Sequence, residues 1–286
     1  MAHGPAALPL PQHPKSPMVS MTAPDAAVLR CEREGAVLTL RLNRPEALNA
    51  LNGELCAALL RELDAAAADP SVRCVVLAGA GRAFCAGQDL RDPAVAPGDG
   101  PRDLGEVVAA RYRPLVLRLR SMPVPTLAAV GGVAAGAGAA LALMCDLVLA
   151  RRGASFVQAF AAIALVPDSG STWVLPRLVG RARALGMTLL GEKLPASQAE
   201  QCGLIWKCVD DEAFDAEVGA LAARLAAQPA RALARTRELL DAGAAGSLEQ
   251  ALDAEAAAQR ELGFAADYAE GVAAFAHKRA PRFTDR

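Results

Sequence analysis

GGVAAGAGAALALMCDLVLARRGASFVQAFAAIALVPDSGST, residues 131–172, holds only two acids, Asp146 and Asp168, and its two ends differ in kind. The first part, 132–143, is almost entirely Gly and Ala, residues that let backbone or ligand come close and leave amide N–H groups uncovered. A turn of that composition opening a helix is suited to hold an oxyanion. The last part, 165–170, sets the Asp168 carboxylate among apolar neighbours behind Pro167, the setting that raises a carboxyl pKa and suits it to proton transfer. Donor and base thus share one short segment.

Upstream, the alternating runs 28–33 and 36–42 flank Gly35 and predict a β-hairpin. The loop NRPEALNA follows, then a helix capped by Asn52, with Leu55, Leu59 and Leu63 on one face, ending at Asp69-Pro70. A strand is predicted over 73–77, whose continuous Val and Leu character implies a buried, mostly parallel sheet with right-handed crossovers. The loop 79–90 leaves that strand's C-terminal end, where α/β folds place ligands, and is a second candidate donor loop. Residues 104–120 predict a helix with a basic stripe, Arg111, Arg113, Arg118 and Arg120, read as a solvated face. A strand over 126–130, a helix in the Gly/Ala segment and a strand over 146–150 then repeat the unit strand, loop, helix for a third time. Beyond Asp168 the pattern is helical over 172–179, 181–190 and 196–202, with a short strand at 205–209. Alanine-rich amphipathic helices are predicted over 212–227, 229–242, 247–262 and 267–278, broken at Pro229, Gly243 and Gly263. They are expected to pack on the sheet and on neighbouring subunits.

A chain of 286 residues, 53% apolar, with a net charge of −1 and 4% aromatics bounds one large or two small globular domains around an aliphatic core. The absence of a Lys/Arg cluster interleaved with aromatics argues against a nucleic-acid partner. No apolar run of membrane length lacks charges or breakers, and the proline-rich first 24 residues hold no apolar signal segment, so a disordered tail is expected there, with neither span nor signal peptide. The seven cysteines stand singly, mostly in apolar runs; buried reduced thiols and a cytoplasmic location are expected. The three histidines, His3, His13 and His277, lie near the two ends, which leaves no Ser-His or Cys-His pair and no His-based metal site in the body of the chain.

Each candidate has a plainer reading. Gly136-Ala137-Gly138 suggests a dinucleotide fingerprint, but Leu141 stands where a third small residue belongs and no acid follows about 20 residues on. Tight helix packing explains the same small residues. Cys85 reads as filler because no His or Lys is placed to activate it. Asp146 reads as a structural cap or turn acid. Asp168 fits a base in a dry loop and a plain helix N-cap about equally.

The segments LNRPEALNAL (42–51), FCAGQDL (84–90) and GVAAGAGAALALMCDLVLA (132–150) closely resemble the crotonase, or enoyl-CoA hydratase/isomerase, superfamily, over about residues 28–280. Residues 158–180, 189–210 and 267–281 are similar to its branch of isomerases acting on ring-epoxide CoA thioesters. The resemblance implies an α/β crotonase fold: a tail at 1–24, a spiral core of ββα units over 25–210 carrying the acyl-CoA site, and a helical region over 211–286 that builds a homo-trimer or hexamer. It also implies that the amides of Gln88 and Ala137 hold the thioester oxygen. The hydratases' two catalytic glutamates fall on Ala140 and Phe160, whereas the isomerases and dehalogenases carry an aspartate where Asp168 stands. Hydration needs one group to activate water and another to deliver a proton; a proton shift along a substrate can be done by one carboxylate. The expectation is therefore an isomerase that moves a 3-enoyl double bond or turns a ring 1,2-epoxide into an oxepin, with no metal and no cofactor beyond the coenzyme A of the substrate. Arg44 and a neighbour's Lys278 are candidates for the CoA phosphates, and Ala86, Phe84, Phe160 and Trp173 for the acyl pocket. The alternatives are an enoyl-CoA hydratase with relocated acids and a non-catalytic acyl-CoA or RNA-binding member.

Overall fold

The computed structural model describes residues 1, 27–96, 98 and 100–286; the expected N-terminal tail lies outside the described residues. The hairpin forms as β1 (Leu29–Glu34) and β2 (Val37–Leu42), antiparallel with Glu34 opposite Val37. Next come α1 (Gly53–Ala68), β3 (Cys74–Gly79), β4 (Ala83–Cys85), α2 (Leu104–Val107) and α3 (Arg113–Arg120). The following unit is β5 (Thr126–Val130), β6 (Val133–Ala135) and α4 (Ala137–Leu143), and after it β7 (Leu147–Arg151), β8 (Ser155–Val157) and α5 (Ser171–Leu190). β9 (Leu194–Pro195), α6 (Ala196–Gln201) and β10 (Lys207–Val209) lead to α7 (Phe214–Ala226), α8 (Ala230–Gly243), α9 (Leu248–Gly263) and α10 (Ala266–Ala276).

The strands form two sheets. The larger has the order β1-β2-β3-β5-β7-β10, parallel after the hairpin, and the smaller has the order β4-β6-β8-β9. Each turn of the chain lays one strand in the first sheet, one in the second, and then a helical segment, so β3-β4, β5-β6 and β7-β8 are successive steps of a spiral. The residue pattern alone shows none of the second strands: β4 falls in the expected loop 79–90 and β6 in the Gly/Ala segment expected to be helical. Three residues are too few to show a two-residue period, and these strands exist because each pairs with its counterpart one turn away.

The parallel strands are buried on both faces, which is why they read as unbroken apolar runs. Val75 and Leu77 enter the main core with Leu55, Leu59 and Leu63 of α1, whose first turn is capped by Asn52 Oδ1 accepting from the Leu55 amide at 2.9 Å. Cys74, Val76 and Ala78 face the other way, against Phe214, Ala222 and Ala226 of α7. Thus α7, although it lies beyond residue 211, closes the sheet. The two helices expected over 172–179 and 181–190 both form within α5, which is broken at Gly180, where φ of 74° and ψ of 162° lie outside helical space.

The basic stripe before α3 and along it is more than a solvated face. Arg111 binds Asp92 at 2.7 Å, Arg118 binds Asp64 of α1 at 2.5 Å, and Arg120 binds Asp241 of α8. Asp146 is structural, as expected: Oδ2 accepts from the Thr126 amide at 2.8 Å and from Arg237 of α8 at 2.9 Å, joining β5, β7 and the C-terminal helices. No helix among the described residues is long and apolar enough to cross a membrane.

Candidate active site

The oxyanion candidates sit where the spiral brings two successive turns together. Gly87 has φ of +89°, and a Cβ on it would stand 2.7 Å from the Ala135 carbonyl oxygen and 3.4 Å from the Ala137 amide nitrogen. Only glycine allows the 86–89 loop to lie this close to the start of α4. The preceding turn is set by Gly136, at φ 50° and ψ −125°, which caps α4 without a side chain and lets Ala137 begin the helix with its N–H forward. Its own amide is tied to the Val157 carbonyl at 2.9 Å, anchoring the turn to β8.

The direction of the Gln88 amide follows from its peptide plane. The Gly87 carbonyl accepts from the Leu51 amide at 2.7 Å, and the Asp89 amide donates back to the Leu51 carbonyl at 2.9 Å. In a trans peptide C=O and N–H point oppositely, so the Gln88 N–H is turned away from Leu51. Neither the Gln88 nor the Ala137 N–H donates to a backbone acceptor among the described residues. Two uncommitted amides on adjoining loops, one of them at a helix N-terminus, are the geometry that stabilises a carbonyl oxygen gaining negative charge.

Asp168 lies in a loop with left-handed backbone at Ala164, Ser169 and Gly170. Its side chain caps no helix: the N-cap of α5 is Gly170, with no side-chain cap bond, so the capping alternative falls away. Burial pushes the Asp168 carboxyl above its ordinary range, opposed by the Ser169 hydroxyl, which donates to Oδ1 at 2.9 Å. No cation pairs with it among the described residues. Asp89 and Asp92 behave oppositely: burial acts upward on them too, but bonds from Arg44, Arg111 and backbone amides outweigh it and hold both below the usual range. Of the described acids whose pKa departs from the ordinary, only Asp168 moves up.

The other candidates scatter. Arg44 does not reach outward for a phosphate: its guanidinium binds Asp89 at 2.8 Å and the Ala50 carbonyl at 2.5 Å beneath the oxyanion loop. Phe84 has no exposed surface and belongs to the main core, so it walls no pocket. Phe160 is buried with its ring 3.6 Å from where a Gly136 Cβ would stand, beside the start of α4. Trp173 is over a third exposed, and its ring faces two guanidinium groups, Arg177 at 4.2 Å and Arg120 at 5.8 Å, rather than an apolar wall. Ala86 is half-buried, its amide donating to the Leu48 carbonyl at 3.0 Å. Lys278 is exposed just beyond α10, with φ of 51°. Burial pushes the Cys85 thiol up to about 12, which removes it as a nucleophile.

Residue-by-residue reading missed three supports. Fully buried Asn49 accepts from the Arg44 amide at 2.9 Å and donates to the Ala80 and Ala83 carbonyls at 2.8 and 2.9 Å, binding the 43–50 loop to the donor loop. Asp89 holds Arg44. Tyr112, 2% exposed, donates its hydroxyl to the Gln88 side chain. An Asn between Leu48 and Ala50 was the available signal for the first; nothing in the pattern marked the third.

Comparison with known proteins gives the family. The family model described as enoyl-CoA hydratase/isomerase matches residues 32–286. The 1,2-epoxyphenylacetyl-CoA isomerase of Escherichia coli (strain K12) is 49% identical over 88% of this chain and 97% of its own length. The "Probable enoyl-CoA hydratase" of Rhodobacter capsulatus is 48% identical over 90% of this chain and 98% of its own. The crystal structure of an enoyl-CoA hydratase from Mycobacterium smegmatis superposes with a TM-score of 0.82 at 35% identity, covering 90% of this chain and 98% of that one.

Proposed function

Because the chain belongs to the enoyl-CoA hydratase/isomerase family and is an enzyme of the crotonase superfamily acting on CoA thioesters, we propose that it is an isomerase working with a single carboxylate. The observation that carries this reading is the solitary, upshifted Asp168, together with the absence of an acid at the two hydratase positions, where Ala140 and Phe160 are both buried. Gln88 and Ala137 N–H groups polarise the thioester oxygen. Asp168 takes a proton from the carbon beside the thioester, and the two amides hold the enolate that results. The same carboxyl returns the proton farther along the acyl chain, which moves a 3-enoyl double bond into conjugation. In a ring 1,2-epoxide of phenylacetyl-CoA the same polarisation and proton handling lead to the oxepin. Both the substrate class of the Escherichia coli relative and the identities at 140 and 160 support this choice.

We also propose assembly as a trimer or a pair of trimers, in which Lys278 of a neighbouring chain meets the CoA phosphates. A substrate panel tests the activity: ring 1,2-epoxyphenylacetyl-CoA or a 3-enoyl-CoA should be turned over, with negligible hydration of crotonyl-CoA. Rapid crotonyl-CoA hydration would overturn the isomerase reading in favour of a hydratase.

A further inference from the structure

We propose that Tyr112 is a positioning residue for the oxyanion donor: its hydroxyl fixes the Gln88 side chain and through it keeps the Gln88 N–H aimed at the thioester oxygen. This rests on the oxyanion reading above and adds to it the part that holds the donor still.

The orientation of the Gln88 amide group is set by its surroundings. Its Nε2 donates to two carbonyl oxygens, Leu51 at 3.2 Å and Asp89 at 3.1 Å, which can only accept. Oε1 must therefore face Tyr112, and the phenol must donate. The side chain thus spans from the donor loop to the 104–120 helical segment and is bonded at both ends. Gln88 is the one residue of the loop whose side chain and candidate catalytic amide share an α-carbon. With the side chain bonded at both ends, the α-carbon that carries the donor N–H is restrained in addition to the backbone bonds to Leu51.

Tyr112 reaches this position because the helix is irregular there. Val108–Tyr112 forms a π turn between α2 and α3, and Pro114 lies just beyond it. Proline has no N–H for the carbonyl four residues back and its ring crowds that carbonyl, so an ordinary α-turn cannot run through it unstrained. The wider turn inserts one residue, and each residue of a regular helix accounts for about 100° of rotation, so the direction taken by position 112 depends on the bulge. Such turns cluster at functional sites. Burial above all, with the charge of nearby Asp168 adding to it, pushes the Tyr112 phenol above its ordinary pKa. The phenol stays a donor throughout the pH range in which Asp168 titrates.

The test is Tyr112→Phe, which keeps the ring and its packing. With the substrate the panel identifies, kcat should fall about 5- to 30-fold with KM little changed, the scale of stranding one buried acceptor. The direct readout is the infrared stretch of a 13C-labelled thioester carbonyl in bound phenylacetyl-CoA. Wild-type protein should lower its frequency relative to free ligand, and the variant should lose part of that shift. In a Gln88→Ala background Tyr112→Phe should add little, because the two act through one contact. A variant with lowered Tm but unchanged kcat and carbonyl frequency would show a purely structural role and overturn the proposal, as would an equal loss in both backgrounds. A wild-type complex with no carbonyl shift would overturn the oxyanion reading itself, a result distinct from either.

Discussion

The helix that opens the candidate site and the helices that end the chain are both rich in alanine, yet they are used in opposite ways. All seven residues of α4 are buried, enclosed by both sheets and α5 within one chain. In α9 only Ala258 is buried, and in α10 only Asp267 and Ala274. Leu240, Leu248, Phe264, Tyr268, Val272 and Phe275 stand exposed along α8 to α10, Phe275 at 87% and Phe264 at 88%. Small residues in α4 let backbone approach from every side, while the C-terminal helices use alanine inward and present their few large side chains outward. The candidate donors and the candidate base all come from one chain. An apolar face of that extent is of the kind that marks a protein–protein contact.

The largest effect expected from breaking this contrast is at the base. Asp168→Asn keeps the shape of the carboxylate but cannot accept a proton, so turnover should fall by about 10²–10⁴-fold or more while CoA-ester binding survives. Near-normal turnover would end the one-carboxylate mechanism. The same variant has a signature in stability. Burial raises the folded pKa of Asp168 above the unfolded value, so its contribution is complete below the unfolded pKa and is lost as pH rises through the folded one. Asn carries no such dependence and should melt higher than wild type at neutral pH, an advantage that vanishes below the ordinary carboxylate pKa of roughly 3.9. Melting curves across that window check the sign.

Next comes the donor. Ala137→Pro removes one N–H at the first position of α4, where proline's fixed φ is tolerated, and should slow turnover by about 10²–10³-fold. Circular dichroism must show the fold retained; normal turnover in a folded variant would remove Ala137 from the site.

The third pair sharpens the contrast itself. Phe156→Ala, at a side chain with no exposed surface, should cost about 3–5 kcal/mol in denaturant unfolding. Phe275→Asp should change the stability of the single chain by no more than about 0.5 kcal/mol, as surface substitutions do, yet reduce the assembled mass in light scattering. An unchanged mass would take α10 out of the interface.

The residue pattern alone fixed the hairpin, α1 with its Asn52 cap, the buried parallel strands and the run of C-terminal helices, because each is a local periodicity with a local stop signal. It also singled out Asp168, by an apolar run ending in Pro-Asp. The motif likeness added Gln88 and Ala137. Three things lay beyond it. The second sheet is made of strands of two or three residues that exist only through pairing with segments distant in the chain. Arg44 looks outward in sequence, but Asp89, 45 residues later, draws it under the donor loop. Tyr112 is one of two tyrosines on a helix that reads as ordinary, and only the π turn before Pro114 together with the long-range bond to Gln88 brings it to the site. Periodicity and capping are written between neighbours in the chain, where a sequence can be read; which groups meet across a core is set by packing, and no local pattern encodes it.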